Sequence, residues 1–224
     1  MKTTIQIAID GPSGSGKSTL AKLLAKKLGY VYIDTGALYR AVGFYAAESG
    51  VPEQQPEKVV PLLPSCTIEM RMENGGNVVL LNGRALGNEI RTEEISRYAS
   101  QVSKVPEVRL FLLETQRSIA RTENVIMDGR DIGTVVLPDA DVKIFMSASP
   151  EARADRRYRE LIAKGERPVY EDVLKDIIWR DKNDAEREIA PAVPADDAVL
   201  MDNTQLDIDG TVEYAMQIVR SKLP

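Results

Sequence analysis

The chain contains no histidine among its 224 residues. That absence excludes mechanisms built on an imidazole base, a phosphohistidine carrier or a histidine metal ligand. Phosphoryl transfer survives it, because its transition state asks mainly for positioning and positive charge. Cysteine is almost missing too. The single Cys66 cannot close an internal disulfide, which fits a reducing, intracellular setting, and it reads as a small core residue. No apolar run approaches membrane-spanning length. The N-terminal apolar stretch is brief, meets Asp10 and passes into glycines, so it does not read as a signal peptide. Net charge is −5, so a broad nucleic-acid-binding face is not expected, and any affinity for phosphate must come from local basic clusters. What is present, 43% hydrophobic residues, is ample for one domain with a proper core and small insertions.

Against these absences stands one dense motif. Gly11-Pro12-Ser13-Gly14-Ser15-Gly16-Lys17-Ser18, followed by Thr19, has the spacing G-x-x-x-x-G-K-[ST] between an apolar run and a helical pattern. That is the context a phosphate-binding loop needs. Gly11, Gly14 and Gly16 allow backbone angles a side chain would forbid, so amide N–H groups can converge on phosphate oxygens. Lys17 would bring charge to the β- and γ-phosphates, and the Ser18 hydroxyl would reach Mg²⁺. The helix opening at Lys17 points its positive end at the same anion.

Around the motif, strand and helix patterns alternate. Strands are predicted at Ile5–Ile9, Tyr30–Ile33, Val125–Met127, Val142–Met146 and Val199–Met201. Helices are predicted at Lys17–Leu28, Ala37–Glu48, Thr92–Val102, Glu107–Arg121, Pro150–Lys164, Tyr170–Glu188 and Ile208–Lys222, with a short one at Glu57–Leu63. Thr67–Met72, Val78–Leu81 and Arg84–Leu86 are short strand-like runs parted by Asn74-Gly75-Gly76 and Asn82-Gly83, which are hairpin signals. The expected fold is α/β: a P-loop NTPase-type parallel sheet with helices on both faces, plus a small antiparallel insertion at about 66 to 90. Residues Ala190 to Ala195, with two prolines, read as a stiff connector.

Four further clusters carry possible chemistry. Asp128-Gly129-Arg130-Asp131 follows an apolar strand, where open α/β sheets bind ligands. Asp128 is placed for Mg²⁺ and Arg130 and Asp131 for a substrate, although a tight turn closed by an internal Asp–Arg pair fits the spacing equally. Asp34 to Arg40 also follows a strand and opens a helix, where Thr35 could cap and offer its hydroxyl to an anion. Arg153, Arg156 and Arg157 share one helix face, and so do Arg180, Asp184 and Arg187. Charged faces are commonly just solvated, but two of them after a phosphate loop point to phosphate clamps, since Arg grips phosphate bidentately. One such arginine can be worth ~10³–10⁵ in rate. Some are expected on a closing lid that keeps water from the reaction.

Taken together, Ile9 to Thr19, Asp34 to Arg40, Asp128 to Thr134, and Arg180 to Arg187 followed by Ala190-Pro191 resemble the bacterial cytidylate kinases over essentially the whole chain. The resemblance implies one nucleoside monophosphate kinase domain over residues 1–224. Its core would be at about 1–34, 122–149 and 196–224, its monophosphate-binding segment with the β insertion at about 35–121, and its lid at about 150–195. It implies transfer of the γ-phosphoryl group of ATP to CMP or dCMP, with Mg²⁺, by a cytoplasmic monomer of pyrimidine nucleotide metabolism. Gly11 to Thr19 would bind the ATP phosphates, with Arg153, Arg156 and Arg157 on the lid over ATP. Thr35, Ser100, Arg109, Asp131, Arg180, Asp184 and Arg187 would line the CMP site, and Arg40 and Arg130 would meet the CMP phosphate. Lys17, Arg130, Arg157, Arg180 and Arg187 would act on the transferring group, with Ser18 and Asp128 at the metal. The family often has serine where this chain has Thr35, and both supply a hydroxyl.

Other readings share the loop. A P-loop kinase for another nucleotide or a metabolite acid would lack the insertion and the Asp128 to Asp131 turn. A GTPase switch would need an N-K-x-D motif, which is missing, and the D-x-x-G match at Asp207 to Gly210 lies far from where a switch is required. A nucleotide-binding module without turnover would leave the clustered arginines without a task.

Overall fold

A computed structural model describes residues 4–73 and 76–223. In chain order its first elements are β1 (Gln6–Asp10), α1 (Lys17–Leu28), β2 (Val31–Asp34) and α2 (Thr35–Glu48). A three-strand insertion follows, β3 (Ile68–Glu73), β4 (Gly76–Leu81) and β5 (Arg84–Leu86), then α3 (Glu93–Val102) and α4 (Pro106–Ala120). The remainder is β6 (Val125–Gly129), β7 (Val142–Ser147), α5 (Pro150–Ala163), α6 (Tyr170–Glu186), β8 (Val199–Asp202) and α7 (Ile208–Lys222). A parallel sheet has five strands, ordered β2-β6-β1-β7-β8, and a separate antiparallel sheet has three, β3-β4-β5. This is the expected α/β class with its insertion. The chain divides into two compact units, one built on Val31–Val125 and one on Ile5–Tyr30 with Ile126–Pro224.

The second unit carries the glycine loop. β1 pairs with β7 and β7 with β8, both parallel, in the register Asp10↔Phe145 and Ser147↔Asp202. Its strands read as near-continuous apolar runs because helices cover both faces. Ile7, Ile9, Ile126, Met127, Ile144 and Met146 are fully buried. Parallel pairing brings the carboxyl ends of β1, β7 and β8 to one edge, and the loop after β1, Asn203 after β8 and the start of α5 all leave from that edge. The predicted stop of α1 holds, with Gly29 in the left-handed region at φ 70°. The D-x-x-G match at Asp207 proves to be a helix cap, the Asp207 carboxylate accepting from Gly210 N at 2.8 Å. Among the described residues no helix is long and apolar enough to cross a membrane.

The first unit builds its core from α2, α3, α4 and the insertion, around Leu38, Val42, Val59, Val79, Val108 and Leu112. The Asn82-Gly83 signal is correct: φ is 50° at Asn82 and 79° at Gly83, as a two-residue hairpin between β4 and β5 requires. The other signal, at Asn74-Gly75, lies outside the described residues. Cys66 is buried, and desolvation pushes its thiol up to about 11, so it is an inert core group as expected.

Three boundaries depart from expectation. The short helix at Glu57–Leu63 is a 3₁₀ segment, Pro56–Ser65, because Pro61 and Pro64 lack the amides an α-helix needs. α2 opens at Thr35, with Asp34 as its cap: the Asp34 carboxylate accepts from Ala37 N at 2.9 Å, so Thr35 is a buried first-turn residue and not the cap. α6 stops at Glu186 and leaves Arg187 in an extended conformation, so Arg187 does not share the helix face of Arg180 and Asp184. Ala190 just beyond has φ 50°, in the left-handed region that a non-glycine residue seldom adopts. A five-residue π-turn at Ile132–Val136 and a 3₁₀ turn at Asn88–Arg91 carry no periodic signal and are not anticipated.

At Gly43 the helices α2 and α3 pack closely. A Cβ there would lie 2.9 Å from Ala99 N and 3.0 Å from Tyr98 Cβ. Alanine in a helix normally gains about 1 kcal/mol over glycine. Here overpacking of about 1–3 kcal/mol opposes it, because backbone cannot yield as a flexible side chain can. Gly43→Ala is therefore expected to lower the urea midpoint; a higher midpoint would show that the helices part without cost.

Candidate active site

The loop between β1 and α1 has the predicted geometry. Gly11, Gly14 and Gly16 have φ of 146°, 73° and 90°, values that L side chains avoid. At Gly11 an added Cβ would also collide with the carbonyl of Met146. Gly16 caps α1 without any side-chain hydrogen bond, which leaves first-turn amides open to an anion. Lys17 is buried, and its Nζ donates to the Pro12 carbonyl at 2.9 Å across the loop. Desolvation lowers its pKa to about 7; repulsion from Arg130 adds to this, while Asp128, Asp184 and Asp10 oppose it. Ser18 Oγ donates to Asp128 Oδ2 at 2.6 Å, so the hydroxyl and carboxylate expected at one metal do meet. The Ser15 hydroxyl is buried with no hydrogen-bond partner among the described residues.

The turn after β6 is held from outside. Within Asp128-Gly129-Arg130-Asp131, Arg130 Nη1 donates to the Gly129 carbonyl at 3.4 Å. Its Nε donates to Asp184 Oδ2 at 2.8 Å; burial works to lower the guanidinium pKa, but Asp184 with Asp128 and Asp181 more than offsets it, so the pKa is raised. Asp131, deeply buried, faces Arg187 Nη2 at 3.6 Å, and Arg187 Nε donates to the Ala190 carbonyl. Arg180 Nη2 reaches Asp176 at 3.3 Å. Of the three acceptor-side residues of the α6 region, Asp184 and Arg187 thus converge on the turn, although Arg187 does so from beyond the helix. Asp10, at the end of β1, fixes the same turn: its two oxygens accept from Ile132 N and Gly133 N, each at 2.8 Å. Burial raises the Asp10 pKa to about 6 against those two amides. The sequence signal for Asp10 is a carboxylate in an otherwise apolar strand, a cost only a dedicated partner offsets.

The arginines of α5 are arranged differently from expectation. Arg153 is almost wholly buried and donates to the carbonyls of Ala148 and Ser13 and to Asp181, so it grips the loop's backbone and does not face outward on a lid. Arg156 donates to the Ser15 carbonyl at 3.2 Å and to the Asn203 carbonyl at 2.7 Å. Arg157 pairs with Glu160 at 3.0 Å. Asp181 and Asn203 carry no local sequence signal, because their partners are distant in the chain.

In the first unit, Asp34 gathers positive charge. Arg40 Nη2 meets its Oδ2 at 2.9 Å and Arg91 stands 3.9 Å from the same oxygen. Arg109 is buried, donates to the Ser103 carbonyl at 3.3 Å and lies 5.7 Å over the Tyr39 ring. The Ser100 hydroxyl and Arg40 Nε are buried without hydrogen-bond partners among the described residues.

Comparison with known proteins agrees with this geometry. The cytidylate kinase family model matches residues 7–221. The chain belongs to the cytidylate kinase family. The cytidylate kinase of Thermosipho melanesiensis is 50% identical over 217 residues, covering 97% of each chain. That of a Geobacillus species is 45% identical over 223 residues, covering 100% of each. Among solved structures, an uncharacterized protein from Eubacterium ventriosum is similar with a TM-score of 0.54 at 14% identity, covering 97% of this chain and 99% of that one, a likeness of fold alone. As a cytidylate kinase the protein is a phosphotransferase acting on a nucleoside monophosphate with ATP.

The lowered Lys17 pKa gives this cytidylate kinase a testable pH dependence. The free ammonium titrates near 7 against 10.5 for an ordinary lysine. A bound triphosphate pulls the pKa back up, so binding takes up a proton above that value. The affinity for a non-hydrolysable ATP analogue is expected to fall as pH rises above about 7, by up to about tenfold per unit. Calorimetry on Lys17→Arg, whose guanidinium stays charged, should show this slope flattened; an equal slope would assign it elsewhere.

Proposed function

We propose that the chain transfers the γ-phosphoryl group of Mg-ATP to CMP or dCMP, and that the residues act as follows. The amides of Gly11 to Thr19 hold the donor phosphates, and Lys17 neutralises the β/γ oxygens from inside the loop. What supports this most directly is the buried ammonium of Lys17 beneath a loop of three positive-φ glycines. A buried cation compensated partly by neighbouring carboxylates is poised for an anion that replaces water.

Ser18 and Asp128 are the residues proposed to hold Mg²⁺. Both are hard oxygen donors, 2.6 Å apart, and among the described residues no group of three or more Asp, Glu, Cys or His is arranged to hold a metal ion by itself. That suits an ion that takes one or two protein ligands and completes its shell with phosphate and water. When bound there, Mg²⁺ would offset the negative charge that develops on the transferring phosphate.

Arg130, Arg180 and Arg187 in the second unit are proposed to bring positive charge to the transferring group and the acceptor phosphate, with Arg157 on the donor side. Their present carboxylate partners keep buried cations compensated until phosphate arrives. Asp131 is proposed to accept from the cytosine amino group, the natural partner for a carboxylate. In the first unit, Thr35, Arg40, Ser100 and Arg109 are proposed to meet CMP. Arg109 and Ser100 would donate to ring acceptors and Arg40 to phosphate; the unpartnered Ser100 hydroxyl and Arg40 Nε support this. The reading includes a monomeric enzyme of the cytoplasm, in keeping with a free, buried Cys66.

The test is a panel of nucleoside monophosphates with Mg-ATP. CMP and dCMP should lead UMP and AMP widely, because uracil turns a carbonyl toward Asp131, and a hydrogen-bonding site can reject such an analogue by up to ~10⁴–10⁵. Asp131→Asn should narrow the CMP-over-UMP ratio. An unchanged ratio in a folded variant would remove Asp131 from base recognition, and a clear lead for AMP would overturn the acceptor assignment.

A further inference from the structure

The glycine loop shows its amides to one side and its carbonyls to the other, and the carbonyl side is held. Arg153 Nη1 donates to the Ser13 carbonyl at 3.0 Å. Arg156 Nη1 and Asn203 Nδ2 donate to the Ser15 carbonyl at 3.2 and 3.0 Å. In a planar trans peptide the C=O and the following N–H point in opposite directions. Fixing the Ser13 oxygen therefore aims the Gly14 N–H, and fixing the Ser15 oxygen aims the Gly16 N–H. The loop backbone also rests on Arg153 itself: a Cβ on Gly14 would stand 3.2 Å from Arg153 Cβ and 3.4 Å from its carbonyl oxygen.

What orients Arg153 comes from α6. Its Nη1 and Nη2 meet Asp181 Oδ1 and Oδ2 at 2.9 and 2.5 Å, a two-pronged bond that sets the guanidinium plane, and Nε is anchored on the Ala148 carbonyl at 2.9 Å. A planar fork held at two corners has little freedom left. Nη1 is shared between Asp181 and Ser13, so a shift of the carboxylate becomes a shift of the loop.

We propose that Asp181 is a positioning residue for phosphoryl transfer, which locks Arg153 so that the Ser13–Gly14 peptide turns its N–H to the donor phosphates. The inference rests on the reading that this loop holds ATP. Asp181 lies between Arg180 and Asp184, both assigned to the acceptor, so one helix carries acceptor groups and steadies the donor loop. Occupancy of the acceptor groups on α6 then bears on the loop through a single ion pair.

The test separates donor from acceptor. Asp181→Asn keeps the shape and removes the charge and one accepting oxygen. Calorimetry should show the Kd of a non-hydrolysable Mg-ATP analogue raised about tenfold or more, on the scale by which small misplacements weaken an oriented site, with no comparable change in the Kd of CMP. In turnover, kcat/KM for ATP should fall by at least the same factor, and Asp181→Glu should recover part of it. A cooperatively folded Asp181→Asn protein that binds the analogue like the parent would overturn the proposal. So would equal weakening of both nucleotides, which marks general loss of structure. If Asp181→Asn does not fold, Arg153→Lys decides in the same way, since an ammonium cannot bridge Asp181 and Ser13 as a fork does. A parent protein that bound the analogue but did not phosphorylate CMP would defeat the acceptor assignment alone and leave the analogue comparison intact.

Discussion

A cradle made of main-chain amides has no side chains of its own to keep it in shape. Its form depends on what grips the opposite edge of each peptide, and here that is a set of donors from α5 and the end of β8 acting on the carbonyls of Ser13 and Ser15. Positive φ at three glycines makes the conformation accessible, but accessible is not the same as populated. Glycine loses more freedom on ordering than any other residue, so a glycine-rich loop stays ordered only if its surroundings over-determine it. The arginines of α5 supply that constraint.

Charge is handled in the same spirit. Lys17, Arg153 and the Arg187 side chain are withdrawn from water and Arg130 is half-buried, and the second unit answers them with Asp10, Asp128, Asp131, Asp181 and Asp184. Leaving any one of these charges unpaired in a dry site would be costly. The balance is incomplete at Lys17, whose pKa burial lowers to about 7. A bound anion completes it. Affinity for phosphate is thus partly the relief of a cost already present in the folded protein.

The phosphate loop was legible because its spacing, its glycines and its flanking elements each state the same thing locally. The sheet was legible for the same reason: apolar runs of strand length between helical patterns leave few alternatives. The hairpin at Asn82-Gly83 could be read from two residues whose φ is positive. What could not be read was set by partners far along the chain. Spacing placed Arg153 on one helix face with Arg156 and Arg157, but its environment is Asp181, 28 residues later, and Ser13, 140 residues earlier. Arg187 looked like a third residue of the α6 face, but α6 ends one residue before it, at Glu186. Asp34 took the capping role because the helix already opens at Thr35, and the Asp34 carboxylate reaches the amide three residues on, Ala37 N.

Cys66 has a practical meaning beyond its place in the core. It is the chain's single thiol, it is shielded, and burial holds it protonated well past neutral pH. Alkylating reagents attack thiolates, so the parent protein presents almost no reactive sulfur. An exposed cysteine introduced on α5 or on the insertion would be labelled alone, without first stripping the native chain. The molecule is therefore already a blank background for fluorescence or spin-label measurements.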